Sequence, residues 1–226
     1  MLTLHHLDNS RSLRILWLLE ELGLDYRLVR HQRDPGTMLA PAALRELHPL
    51  GKAPLLIDED DRGRRRVVIE SALIIEHLLD RHAPDSELRP AAGSEARRRY
   101  AYWLHYAEGS LMPLLLLKLV FARVEQGSPA MIRPIARKLR EGADSAFTHP
   151  QLALHLDYLE GELERFAWFA GDDFSAADIQ MGFPLEIAAS RGGLGEERTA
   201  LNAFLERIRA RPAYQRAMEK GGKAVG

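Results

Sequence analysis

Three short stretches of this chain carry side chains whose types and spacing could bind and ionise a small polar ligand. The first is Asn9-Ser10-Arg11-Ser12, between a strand-like run at Leu2-Thr3-Leu4-His5-His6-Leu7 and a helix-like run from Leu13 to Leu22. That places it at the carboxyl end of a strand, where ligands bind in open α/β sheets. A hydroxyl or amide there can donate a hydrogen bond to a thiolate, and the helix N-terminus adds to the field. A free thiol has a pKa of about 8.5, and each unit of depression is about 1.36 kcal/mol of preference for the anion. The second stretch is Gly51-Lys52-Ala53-Pro54. An X-Pro bond before a short strand is a candidate cis peptide. A cis bond would turn the Ala53 backbone outward, so that its N–H and C=O could pair with another extended backbone. The third is Glu70-Ser71, where a strand hands over to a helix. The helix N-terminus and the Ser71 hydroxyl could hold a carboxylate, and Glu70 an ammonium, which together fit an α-amino-acid head.

Each stretch also has a plainly structural reading: capping at Ser10, Ser12 and Ser71, and an ordinary trans turn at Pro54. A fourth motif is structural only. In Phe174-Ser175-Ala176-Ala177-Asp178-Ile179, Ser175 and Asp178 have capping-box spacing, and Phe174 and Ile179 occupy the positions of a hydrophobic staple.

These motifs need elements to hold them. Strand-like segments at 2–7, 26–29, 55–57 and 67–69 alternate with helical ones at 13–22, about 41–47 and 71–81. Residues 58–66 read as a solvated hairpin loop, because their acids and arginines cancel and give no DNA-binding face. A stretch rich in Pro, Gly and small polar residues follows at 84–93, and everything after it is helical. Helices are expected at 94 to about 126 with a kink at Pro113, then at 132–147, 151–166, 176–189 and 199–209. Gly192-Gly193 and Arg211-Pro212 read as stops. The layout is an α/β domain over 1–83 in the order βαβαββα, a linker at 84–93, and an all-α domain over 94–226.

Composition closes off other classes. The chain has 226 residues, 31 basic against 32 acidic side chains, and no cysteine. A net charge of −1 excludes a broadly basic nucleic-acid binder. Without cysteine there is no disulfide framework and no thiolate metal centre, so thiol chemistry must use a thiol from outside. The longest run free of Asp, Glu, Lys and Arg, Ser145 to Leu156, is too short to cross a bilayer. With no signal peptide visible, a cytoplasmic location with no membrane partner is expected. No Gly-x-Ser-x-Gly elbow, His-Glu-x-x-His pair or complete P-loop is present. His77 and His82 stand five apart on a helix and so do not share a face, and no metal site is expected.

Taken together and in this order, the motifs resemble the glutathione S-transferase family. Asn9-Ser10-Arg11-Ser12-Leu13-Arg14 leading into Trp17-Leu18-Leu19-Glu20-Glu21-Leu22-Gly23, His48-Pro49-Leu50-Gly51-Lys52-Ala53-Pro54 and Glu70-Ser71-Ala72-Leu73-Ile74 look like its thioredoxin-like N-terminal domain. Ala170-Gly171-Asp172-Asp173 through Ile179 is similar to its second-domain signature, and Arg211-Pro212-Ala213-Tyr214 to its usual C-terminal end. The resemblance implies a cis Pro54, Ala53 paired with the cysteinyl backbone of glutathione, and Glu70 with Ser71 on the γ-glutamyl head. It implies Lys52 at the glycine carboxylate, with His48 beside it. It also implies a cytoplasmic homodimer with glutathione and a hydrophobic electrophile as partners.

One position departs from the family pattern. Asn9 stands where serine-type classes place the catalytic serine, with Ser10 next to it and Ser12 close by; Ser10 and Asn9 are taken as the catalytic candidates. The electrophile pocket is expected between the domains, on the face that Tyr102, Tyr106 and Ser110 share at i, i+4 and i+8, with Trp103 in the core. The expected reaction is attack of the glutathione thiolate on a hydrophobic electrophile, or on a peroxide. The alternative is a non-catalytic ligand carrier or interaction module on the same fold.

Overall fold

The computed structural model describes residues 1–191 and 193–222. Gly192 of the expected Gly192-Gly193 stop, and residues 223–226 of the expected helical domain, lie outside the described residues.

The strands β1 (Leu2–Leu7), β2 (Tyr26–His31), β3 (Leu55–Glu59) and β4 (Arg65–Ile69) form one mixed sheet in the order β2-β1-β3-β4. β2 runs parallel to β1, while β3 is antiparallel to both β1 and β4. The helices α1 (Ser12–Leu22), α2 (Ala43–Leu47) and α3 (Ser71–Arg81) complete the expected βαβαββα order. α1 is buried from Ser12 to Glu20, as its apolar surround requires, and ends on Gly23 in the left-handed region at φ 61. The hairpin loop is shorter than expected. Asp58 pairs with Arg66 and Glu59 with Arg65 across the ladder, and opposite charges facing each other extend both strands. The Asp60 carboxylate then closes the turn, accepting from the Arg62 and Arg64 N–H groups at 3.0 Å each.

The helical domain comprises α4 (Glu95–Tyr106), α5 (Met112–Gly127), α6 (Arg133–Ala143), α7 (His149–Arg165), α8 (Ala176–Ser190), α9 (Thr199–Arg209) and α10 (Pro212–Gly221). Two π-helical turns correct the expected layout. Ala107–Leu111 joins α4 to α5, and Asp144–Thr148 joins α6 to α7, so the helices expected at 132–147 and 151–166 are one continuous rod. Both turns lie just before a proline, Pro113 or Pro150, whose missing N–H breaks the α-type ladder. The backbone widens instead of stopping, with the Met112 N–H donating to the Ala107 carbonyl and His149 to Asp144. The expected stop at Arg211-Pro212 holds, since α9 ends at Arg209, and Pro212 also starts α10, a position proline favours because its N–H would be orphaned anyway.

α8 is buried along most of its length and begins at the expected capping box. Asp178 Oδ2 accepts from the Ser175 N–H at 2.8 Å and Oγ–H at 3.0 Å, and Oδ1 from the Phe169 N–H at 2.8 Å. Burial pushes this carboxyl up to about 6 despite those bonds. Phe174, expected as half of a staple, packs against Trp17, Trp168 and Arg211.

Two acidic side chains of α1 tie it to α10: Glu21 accepts from Arg211 at 2.6 and 2.9 Å, and Glu20 gathers three donors. Glu20 accepts from Lys220, from the Tyr26 hydroxyl and, at 2.8 Å, from Arg216 Nε. Burial alone would raise the Glu20 carboxyl, but those hydrogen bonds outweigh it and hold it at about 2. A carboxyl depressed in the folded state stabilises above its unfolded pKa, and that stabilisation is lost as pH falls through the folded value. The contribution is therefore complete above pH ~4.5 and gone near pH ~2. In urea unfolding, Glu20→Gln should cost on the order of 2 kcal/mol at neutral pH, discounted for the solvent-exposed partners, with the difference vanishing toward pH ~2.

Candidate functional site

The sheet brings the three chemical stretches to one end. β1 and β4 finish there and β3 begins there, because His5 pairs with Leu55 and Leu55 with Ile69. The turn after Leu7, the loop before Leu55 and the junction after Ile69 therefore share one edge. The Ala53–Pro54 bond is cis. Ala53 stands ahead of the first ladder pair, so its N–H and C=O lie outside the sheet. Gly51 takes φ 56, and a Cβ there would stand 2.5 Å from Arg45 Cγ, so the Lys52 loop needs glycine. Lys52 projects into solvent. The His48 ring lies over its own loop, its Nδ1 accepting the Leu50 N–H at 3.3 Å.

Glu70 is the N-cap of α3 and Ser71 the first helical residue, which corrects the expectation of a Ser71 cap. Glu70 sits at φ 69, a conformation that costs a non-glycine residue about 1–3 kcal/mol and that clusters at ligand clamps. It is exposed and enters no ion pair among the described residues, beside buried Ser71 and the free N–H groups of α3.

The structure separates the two catalytic candidates. Asn9 is exposed at the rim, at φ 52, which asparagine tolerates better than most residues. Arg33 fixes this turn, donating from Nη2 to the Asn9 carbonyl at 2.8 Å and from Nε to that of Asp8 at 3.1 Å. Ser10 is buried and faces inward. The Gly221 carbonyl can only accept, so His6 Nε2 donates to it at 2.9 Å. Burial lowers the His6 pKa and favours the neutral ring, which leaves Nδ1 as an acceptor for the Ser12 hydroxyl at 2.9 Å. Ser12 Oγ then accepts from the Ser10 hydroxyl at 2.7 Å and from the Leu7 N–H at 3.0 Å. The Ser10 proton is committed to the interior, and Ser12 is the link between Ser10 and His6.

Sequence reasoning missed the bridge between the domains. Arg14 is fully buried in α1, 4.7 Å above the Phe183 ring, and donates from Nη1 to Glu108 at 2.9 Å and to Gln180 at 2.7 Å. Burial lowers its pKa to about 10, with Glu108 opposing the shift. Arg11 donates from Nε to both oxygens of the same carboxylate, at 3.0 and 2.8 Å. No local pattern reveals these pairs, since Glu108 stands 97 residues from Arg11.

The expected electrophile face lies along α4 and the first π turn. The Tyr102 and Tyr106 rings pack against each other at a tilt of 31°, and Tyr106 reaches α7, bonding His155 Nδ1 and packing on Tyr158. Glu108, two positions on, pairs with Arg11 and Arg14 of the first domain. Ser110 is half-buried within the π-helical turn, off the α-helical phase on which the stripe was spaced. Trp103 is core, as expected. A cavity of about 280 Å³ lies between α5, the second π turn and the end of α8, lined in part by Leu119, Phe121, Lys118, Arg140 and Arg191. Burial lowers the pKa of both Arg33 and Arg191, and Arg123 on α5 adds to each shift.

At the opposite end of the sheet the expectation about His77 and His82 fails. α3 ends at Arg81, so His82 escapes the helical phase and swings back. Both Nε2 atoms reach Asp58 Oδ2, His77 at 2.8 Å and His82 at 3.0 Å. Burial would raise the Asp58 carboxyl, but the two imidazole hydrogen bonds outweigh it and hold it below its ordinary value.

Among the described residues, no helix is long and apolar enough to cross a membrane. The family model "Glutathione S-transferase, N-terminal domain" matches residues 10–81, and "Glutathione S-transferase, C-terminal domain" matches residues 127–212. Glutathione S-transferase 3 of Schizosaccharomyces pombe is 36% identical, over 97% of this chain and 88% of its own. Glutathione S-transferase 1 of Saccharomyces cerevisiae is 32% identical, over 100% of this chain and 97% of its own. A crystal structure of a glutathione S-transferase from Actinobacillus pleuropneumoniae superposes with a TM-score of 0.77 at 34% identity, covering 98% of this chain and 93% of that one.

Proposed function

The chain belongs to the glutathione S-transferase family, and we propose that it is a working transferase that ionises the glutathione thiol beside Asn9. The observation that carries this reading is the convergence at one sheet edge of Asn9, the Ala53 backbone and the Glu70-Ser71 junction. The γ-glutamyl carboxylate lies at the N-terminus of α3 with the Ser71 hydroxyl, and its ammonium group pairs with Glu70. The cysteinyl backbone pairs with Ala53, and the glycine carboxylate meets Lys52, with His48 alongside.

These contacts leave the sulfur at the Asn9 turn. The Asn9 amide donates to the thiolate, and the N-terminus of α1 adds its positive end. The thiolate attacks an electrophilic carbon, forming a C–S bond as the leaving group departs, and no covalent enzyme intermediate is needed. With a peroxide in place of the carbon electrophile, a second glutathione completes the reduction and leaves the disulfide. The electrophile is hydrophobic, and the cavity walled by Leu119 and Phe121 is the apolar space we assign to it. The protein is cytoplasmic and acts as a homodimer in this reading. Exposed Val120 and Val124 on α5, with Ile135 and Leu139 on α6, supply apolar surface for a second copy.

Ultraviolet difference spectroscopy of bound glutathione against pH tests the proposal. A thiolate band that titrates well below the free thiol pKa of ~8.5 supports it. Glutathione bound with an unshifted thiol, or no binding, sinks it in favour of a carrier or interaction module. Within the same reading, Ser71→Ala and Glu70→Gln each remove a hydrogen bond to a charged group worth ~1.5–3 kcal/mol. Each should raise the KM for glutathione by about 10- to 100-fold with a smaller change in kcat, read in steady-state kinetics.

A further inference from the structure

We propose that Asp58, His77 and His82 form a zinc site that braces the sheet against α3, at the end remote from glutathione. Their donor atoms, one carboxylate oxygen and two imidazole nitrogens, all lie within 4.8 Å of one another. Both His–Asp separations, 2.8 and 3.0 Å, are measured to a single oxygen. Neighbouring ligands of a tetrahedral zinc with bonds of about 2.0–2.1 Å stand about 3.3 Å apart, so each His–Asp separation needs to open by only a few tenths of an ångström, and the two imidazole nitrogens, within 4.8 Å of each other, settle to the same spacing. Two of the three donors ride on rigid elements, Asp58 on β3 and His77 inside α3, and their side chains are 6% and 9% exposed. That is the preorganisation a metal site requires. His82, at 26% exposure, opens the cluster toward solvent, where water can fill the remaining position.

The donor set selects the ion. Two imidazoles and one carboxylate suit zinc or a neighbouring transition ion, and magnesium and calcium prefer all-oxygen sets. One group opposes zinc binding. Arg81 Nε stands 3.4 Å from the same Asp58 oxygen, with its side chain 46% exposed. Zinc must displace this guanidinium into solvent, so Arg81 is a built-in competitor.

The test uses the full chain without an affinity tag, stripped with a chelator, dialysed and titrated with Zn²⁺ by calorimetry at neutral pH. One equivalent per chain is expected, together with a higher melting temperature, because the assembled site exists only in the folded state. His77→Asn and His82→Asn should each weaken binding by about tenfold or more, and Arg81→Gln should tighten it. His82→Asn lies past the helix end and keeps the test decisive if His77→Asn folds poorly. His31→Asn, which removes half of the separate His5–His31 pair, should leave the stoichiometry unchanged. The proposal falls if no zinc binds at about 100 μM, or if either the His77 or the His82 variant binds as the parent does.

Discussion

Replacing Asn9 by Ala is expected to return the thiol of bound glutathione toward its free pKa of about 8.5 and to lower kcat/KM by about 10²-fold at pH ~6.5. Among the catalytic candidates only Asn9 is exposed at the rim of the site; Ser10 and Ser12 are both buried. Its carbonyl is held by Arg33, so the amide is presented from a fixed turn. The penalty should shrink above pH ~8.5, where the free thiol ionises unaided. Ala fits the positive φ less well than Asn, so part of the Ala effect could be conformational. Asn9→Gly removes that ambiguity: it keeps the backbone and deletes the amide, and should lose activity equally without loss of stability. Ser10→Ala should leave the thiol pKa in place and cost stability instead, because it unlinks the Ser10–Ser12–His6 chain. The reverse pattern, a thiolate lost in Ser10→Ala and kept in Asn9→Gly, would make Ser10 the donor.

Much of this architecture is legible in local sequence. Alternation at 2–7, the apolar surround of 13–22 with Gly23 behind it, and the strand–helix junction at Glu70-Ser71 follow from short-range physics, and the structure places each near its expected bounds. What was not legible depends on contacts across the chain or on the end of a helix. A proline inside a helical pattern predicts a disturbance, but not that the backbone answers with a π turn. The spacing of His77 and His82 forbids a shared face only while the helix lasts, and α3 stops between them. The charge pairs that lengthen β3 and β4 look like a loop until the register sets Asp58 opposite Arg66. In the site itself, Asn9 and Ser10 are equivalent as sequence neighbours. They part because the turn sends one side chain to solvent and the other onto Ser12, and the acceptor that orients that chain is the Gly221 carbonyl, near the far end of the chain.

The same limit hides the largest stability effect. Arg14 sits in a helix that reads as apolar all round, yet its guanidinium is fully buried, with Nε and Nη2 lacking partners among the described residues. Its charge is balanced by Glu108 across the domain boundary. Removing one partner of a buried pair leaves an uncompensated charge and costs about 3–5 kcal/mol, far more than an exposed pair. The Glu108 side chain is 32% exposed, so Glu108→Ala should destabilise the chain by rather less, about 2–3 kcal/mol in denaturant unfolding, and also loosen Arg11 beside the Asn9 turn. Arg14→Met should cost less, since Met can occupy the space over Phe183 without a charge to satisfy. The decisive measurement is the double variant. If Glu108 is there to neutralise Arg14, then Arg14→Met/Glu108→Ala should be more stable than Glu108→Ala alone, a coupling of at least about 1 kcal/mol. Additive losses would mean that the two side chains stabilise the interface independently, and that Glu108 acts through Arg11 alone.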